Sequence, residues 1–221
     1  DARFNLGVQL FDSRLYAAAA EYFNLNGSHK SKIYAIRCSF LQDDQATFFK
    51  KFDFLIDQGE INAVLGSLVY CSEIKYGIRK SNPFCNDPLK YVVKTDLSER
   101  YDFKNIFVET VKNILKDHST SHRDQPHLTS GIQTAGNIFA FEKVLKTEIE
   151  SIIHKEIERY RIQFKNSKEG FIKNWPNSYV IDGWLVCMQS GGRLDSHMHD
   201  IGWLTGSIYI NVPPKLNPDS G

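Results

Sequence analysis

Apolar residues recur at helical spacing through the first third of the chain. Leu6, Leu10 and Phe11 fall on one helix face, and Leu15, Ala18, Ala19, Tyr22 and Phe23 repeat the pattern up to the stop at Asn26-Gly27. Ile33, Ile36, Arg37 and Phe40 predict a third helix. Asp43-Asp44 then supplies a cap for a fourth, with Phe48, Phe49, Phe52, Leu55 and Ile56 on its apolar side. Ile61 to Tyr76 predicts a fifth. The turn signals Asn82-Pro83 and Asn86-Asp87-Pro88 interrupt this regime. After them the pattern mixes periods. Lys90–Lys94 reads as a short strand, and Phe103, Ile106, Phe107, Val111, Ile114 and Leu115 as an amphipathic helix. Leu128–Phe139 reads as a strand and turn, and Phe141 to Phe164 keeps helical period. Tyr179–Met188 is rich in aromatic and β-branched residues and predicts a strand. Gly191-Gly192 turns the chain toward a second apolar strand that ends near Val212.

These patterns divide the chain into a helical region at 1–80, a linker at 81–95 and a mixed region at 96–221, an α+β organisation. Asn5-Leu6-Gly7, Leu10, Tyr16, Ala19 and Tyr22 resemble a tetratricopeptide repeat, with small residues where two helices cross and aromatics in the groove. Ala35 to Leu41 begins a second, degenerate unit. Such a module offers a surface to a protein partner and carries no catalysis.

Composition narrows the function classes. Apolar residues are 42% and charged residues 24% of the chain, the balance of a globular protein. The net charge is +1, which argues against a nucleic-acid footprint or an anionic membrane surface. No apolar run reaches the length of a membrane span. Cys38, Cys71, Cys85 and Cys187 are scattered without a C-x-x-C pair, which fits reduced thiols and a cytoplasmic setting.

Candidate chemistry concentrates between Ser190 and Val212. His197 and His199 flank Met198 in extended sequence, where positions i and i+2 share a face. Both imidazoles can therefore reach one metal ion, with Met198 turned into packing; imidazole suits Fe, Zn, Cu and Ni. Asp200 adjoins the pair, and Asp195 lies two residues before His197; either could add a carboxylate. His118, His122 and His127 lie in a polar loop and read as solvated, and His154 reads as structural.

Gly191-Gly192, His197-Met198-His199, the run Trp203-Leu204-Thr205-Gly206-Ser207-Ile208-Tyr209-Ile210 and Pro213 together resemble a family of 2-oxoglutarate- and Fe(II)-dependent oxygenases. The Leu128–Asn137 element and the strand with Trp184 agree with that family, so the resemblance spans about residues 100–221. It implies a double-stranded β-helix, or jelly roll, with flanking helices, of which this chain holds the first part. It also implies Fe(II) and 2-oxoglutarate as cofactors and hydroxylation of a protein or small-molecule substrate. Carried over, His197 is the first iron ligand, and His199 stands where the common triad has a carboxylate. That departure leaves His199, Asp195, Asp200 or water to fill the position. Tyr209 matches a tyrosine that holds the distal carboxylate of 2-oxoglutarate, and Asn211 faces the same side. Two other readings use the same residues: a cupin-like, non-redox metal or small-molecule binder, and a helical-repeat interaction protein with an inert barrel.

In the family the second histidine ligand and the basic partner of 2-oxoglutarate stand on later strands. The chain starts at Asp1 without a Met and stops at Gly221, so it reads as a fragment. Residues 1–221 alone are expected to bind Fe(II) weakly and to turn over no 2-oxoglutarate. Release of carbon dioxide from labelled 2-oxoglutarate measures this, and sustained turnover would refute it.

Overall fold

A computed structural model describes residues 1–117, 120–141 and 148–213. The chain forms two compact units that interleave in sequence. The first is Asp1–Tyr91 with Asn166–Trp175 and Asp200–Trp203; the second is Val92–Lys165 with Pro176–His199 and the chain from Leu204.

The first unit is helical: α1 (Ala2–Asp12), α2 (Tyr16–Asn26), α3 (His29–Leu41), α4 (Gln45–Asp57) and α5 (Ala63–Tyr76). The boundaries follow capping chemistry. Ser28, Asp44 and Asn62 accept hydrogen bonds from the backbone N–H groups of Ser31, Thr47 and Leu65 at the starts of α3, α4 and α5. Gly27 closes α2 in the left-handed conformation. Two cores result. Ala19, Phe23, Ala35 and Cys38 join α1, α2 and α3, and Ile33, Ile36, Phe48, Phe52, Leu55, Leu65 and Val69 join α3, α4 and α5. At the α1–α2 crossing a Cβ on Gly7 would stand 2.7 Å from the Phe23 ring, so only glycine permits this approach. Burial pushes the Cys38 thiol up to about 11. The late segment Gly170–Lys173 (α9) also belongs here, with the Phe171 N–H donating to the Phe84 carbonyl.

The second unit combines helices with a three-stranded antiparallel sheet in the order β1 (His122–Arg123), β2 (Leu128–Thr134), β3 (Val186–Leu194). A π-helical turn, Lys104–Glu109, leads into α6 (Thr110–Lys116). Then come α7 (Ile138–Phe141) and α8 (Glu150–Gln163). Phe107, Ile114, Ile138, Phe139, Ile149 and Ile152 form the core, with Ile181, Leu185 and Ile210 packed against it.

Several expectations change. Lys90–Lys94 forms no strand; Pro88–Tyr91 is a 3-10 turn. Val144 and Leu145 of the long helix expected from Phe141 lie outside the described residues. The strand expected at Tyr179–Met188 starts only at Val186. The reason is local: the Asn137 side chain, rather than a neighbouring strand, takes up the backbone there. Its Nδ2 donates to the Ile181 carbonyl and its Oδ1 accepts from the Gly183 N–H. Gly191-Gly192 lies inside β3 rather than ending it. Between Thr129↔Arg193 and Gly131↔Met188 the register shifts, and β3 carries the extra residues as a bulge. Gly191 has φ 76, and a Cβ on Gly192 would meet the Ser130 carbonyl at 2.7 Å. The run Trp203–Val212, expected as a strand, is irregular, with Tyr209 and Val212 exposed. Among the described residues no helix is long and apolar enough to cross a membrane.

Two outcomes test this packing. Phe23 is fully buried, so Phe23→Ala should lower the unfolding free energy by about 3–5 kcal/mol in urea titration; a loss well below that range would contradict the α1–α2–α3 core. Hydrogen bonds from Thr47 hold the Asp44 carboxyl below its ordinary value. A depressed carboxyl stabilises the fold above its unfolded value, and that stabilisation is lost as pH falls through the folded one. The melting-temperature gap between wild type and Asp44→Asn should therefore narrow from pH 6 to pH 3.

Candidate functional site around the paired histidines

The site is built at one end of the β2–β3 ladder. Leu128 pairs with Leu194. One step beyond, the Asp195 N–H donates to the His127 carbonyl at 2.8 Å. The segment 195–199 then leaves β3 without regular structure. His197 Nδ1 lies 2.8 Å from the Asp195 carbonyl. A carbonyl only accepts, so Nδ1–H is the donor and Nε2 keeps the free lone pair.

Three histidine rings and an indole adjoin one another here. His197 and His199 have ring centroids 4.9 Å apart, edge to face. His127 lies parallel to His197, 5.2 Å away with an interplanar angle of 2°. Trp184 packs on His199 at 5.2 Å. His199 is half-buried, and His127 and His197 are exposed. Met198 is 44% exposed rather than packed inside, because the segment that bears it has left β3 by then. The buried pair Gln133 and Thr134 holds the approach to Trp184, with the Leu185 N–H donating to Thr134 Oγ1.

The two candidate carboxylates have arginine partners. Asp195 Oδ1 accepts from Arg193 Nε at 3.1 Å, an exposed pair. Asp200 belongs to the helical unit, where its Oδ2 accepts from Arg37 Nη1 at 3.2 Å. The Arg37 guanidinium also lies over the rings of Phe11 and Tyr34, at 4.8 and 5.0 Å. Burial raises the Tyr34 phenol, and Arg37 opposes that rise. The turn after Asp200 is fixed in the same unit, since Trp203 Nε1 donates to the Phe171 carbonyl and its ring packs on Phe84.

The remaining candidates are scattered. The Tyr209 phenol is 75% exposed and Asn211 is exposed. His118 lies outside the described residues. His122 stands in β1 opposite Thr134. His154 Nδ1 meets the Tyr179 hydroxyl at 3.0 Å, a structural partnership. Among the described residues no group of three or more His, Cys, Asp or Glu side chains could hold a metal ion.

His127 is the residue that the sequence pattern undervalues. Its neighbours are polar loop residues, and only the antiparallel pairing of β2 with β3 sets it beside His197. A usable signal was present nonetheless: in a β2–β3 pair, the residue before one strand faces the residue after the other.

Searches against family models, curated proteins and solved structures find no match to this chain.

Proposed function

We propose that this chain carries part of a 2-oxoglutarate- and Fe(II)-dependent oxygenase acting as a hydroxylase, with His197 and His199 as iron ligands. One observation carries the reading: the two rings adjoin at 4.9 Å while the His197 Nδ1–H is committed to the Asp195 carbonyl. That hydrogen bond takes up Nδ1 and leaves Nε2 for a metal, as an outer-shell partner does in metal sites. The donor set fits iron, which accepts imidazole readily. Iron and 2-oxoglutarate, when bound, would supply dioxygen activation and C–H hydroxylation.

The chain's own residues bind and orient. Trp184 covers one side of His199 and limits its rotation. The Asp200 carboxylate is paired with Arg37 within the helical unit. Tyr209 and Asn211 serve the distal carboxylate of 2-oxoglutarate, and the exposed Tyr209 hydroxyl is free to donate to it. The mixed unit is the opening part of a double-stranded β-helix, in which the β3 bulge re-aims the segment that bears the histidines. The helical unit is tetratricopeptide-like, supported by the Gly7–Phe23 approach, and offers a protein partner its surface. A cytoplasmic setting accords with the four free thiols.

Anaerobic Fe(II) titration tests the metal assignment. Wild type should bind, and His197→Ala should weaken binding by more than the roughly 10–100-fold that loss of an outer-shell partner costs. Superimposable titrations would remove His197 from the site.

A further inference from the structure

We propose that Asn26 is a deamidation site, and that its product carboxylate loosens the hold of α2 on the start of α1.

Asn26-Gly27 is the only Asn-Gly step in the chain. The chemistry depends on that neighbour. The Gly27 backbone nitrogen attacks the Asn26 Cγ, an approach that a side chain on the following residue would crowd. An N–Cγ bond forms and the Cγ–Nδ2 bond breaks. The amide NH2 leaves as ammonia, taking the proton of the Gly27 N–H. Water then opens the cyclic imide to aspartate or isoaspartate, and nothing is oxidised or reduced.

The reacting groups are accessible and the carbonyl is polarised. Gly27 is exposed, nothing lies within 4 Å of where its Cβ would stand, and Asn26 is half-buried at the last position of α2. The Gly27 N–H donates to the Phe23 carbonyl at 3.2 Å, a terminal bond of the kind that frays. Asn26 Oδ1 accepts from the Ser28 N–H at 3.1 Å and from the Ser31 hydroxyl at 2.7 Å. Two donors there stabilise the negative charge that this oxygen takes on during attack.

The consequence is set by what Nδ2 does before it leaves. It donates to the Asp1 carboxylate, whose other oxygen accepts from the Arg3 N–H and caps α1. After conversion a carboxylate faces Asp1 in place of a donor. It also stands at the C-terminal end of α2, where the helix dipole disfavours negative charge. Repulsion replaces a hydrogen bond, and α1 loses a tie to α2.

Peptide mapping of the full chain tests the site. Folded protein held at mildly alkaline pH should gain the mass of an NH2-to-OH exchange at Asn26. Asn24, exposed in the same helical turn but followed by Leu25, should keep its amide. No gain at Asn26 by the time the chain in urea has fully converted overturns the site, and conversion of Asn24 at the same rate overturns the role of Gly27. Melting measures the consequence. Asn26→Asp should lower the melting temperature by about 2–4 °C, the shift expected for one lost hydrogen bond in a chain of this length. Asp1→Asn keeps a capping side chain on α1 and, combined with Asn26→Asp, moves the donor to the other partner. This double variant should recover most of the loss. An unchanged melting temperature in Asn26→Asp, or a loss that Asp1→Asn does not relieve, overturns the hold on α1. Should Asn26→Asp fail to fold, the double variant decides: a folded chain supports the proposal, and an unfolded one overturns it.

Discussion

Antiparallel strands bring together the residues that flank them, however far apart those lie in sequence. β2 and β3 meet in this way, and their ladder closes at Leu128 and Leu194. The next hydrogen bond, from the Asp195 N–H to the His127 carbonyl, sets a loop histidine against the histidine pair. Without this pairing His197 and His199 would be two histidines on an irregular segment with no third imidazole nearby. The bulge in β3 belongs to the same constraint. Extra residues on β3 are absorbed where Gly191 adopts a positive φ and Gly192 passes close to the Ser130 carbonyl. A side chain at Gly192 would therefore disturb the register that aligns Asp195 with His127.

The helical unit was legible because its signals are local. Apolar period marked the buried faces, and Asp44 marked the start of α4 by chemistry that acts within three residues. The sheet was legible only in part, since strand pairing is non-local. Tyr179–Met188 has strand composition, yet Asn137 satisfies the Ile181 and Gly183 backbone with its side chain, and pairing begins later. Trp203–Val212 also has strand composition and forms no strand, because composition states a preference and not the presence of a neighbour to pair with. The spacing of His197 and His199 was read on a strand, whereas they stand on an irregular segment beyond β3, and the approach of His127 required knowing which strand lies beside which.

Asp195 shows how one residue can serve a site without offering its side chain. Its carboxylate takes the Arg193 guanidinium on the exposed surface, an interaction worth about 0–1 kcal/mol at most in such settings. Its backbone does the structural work, holding His127 on one side and the His197 ring on the other. A substitution that keeps the backbone conformation would therefore preserve the histidine arrangement.

Asp200 presents the opposite balance. Its carboxylate pairs with an Arg37 guanidinium that also lies over two aromatic rings, and both partners are about one-third exposed, at 29% and 36%. Withdrawing Asp200 from that pairing would leave a partly covered guanidinium without its carboxylate, a larger cost than for a fully exposed pair.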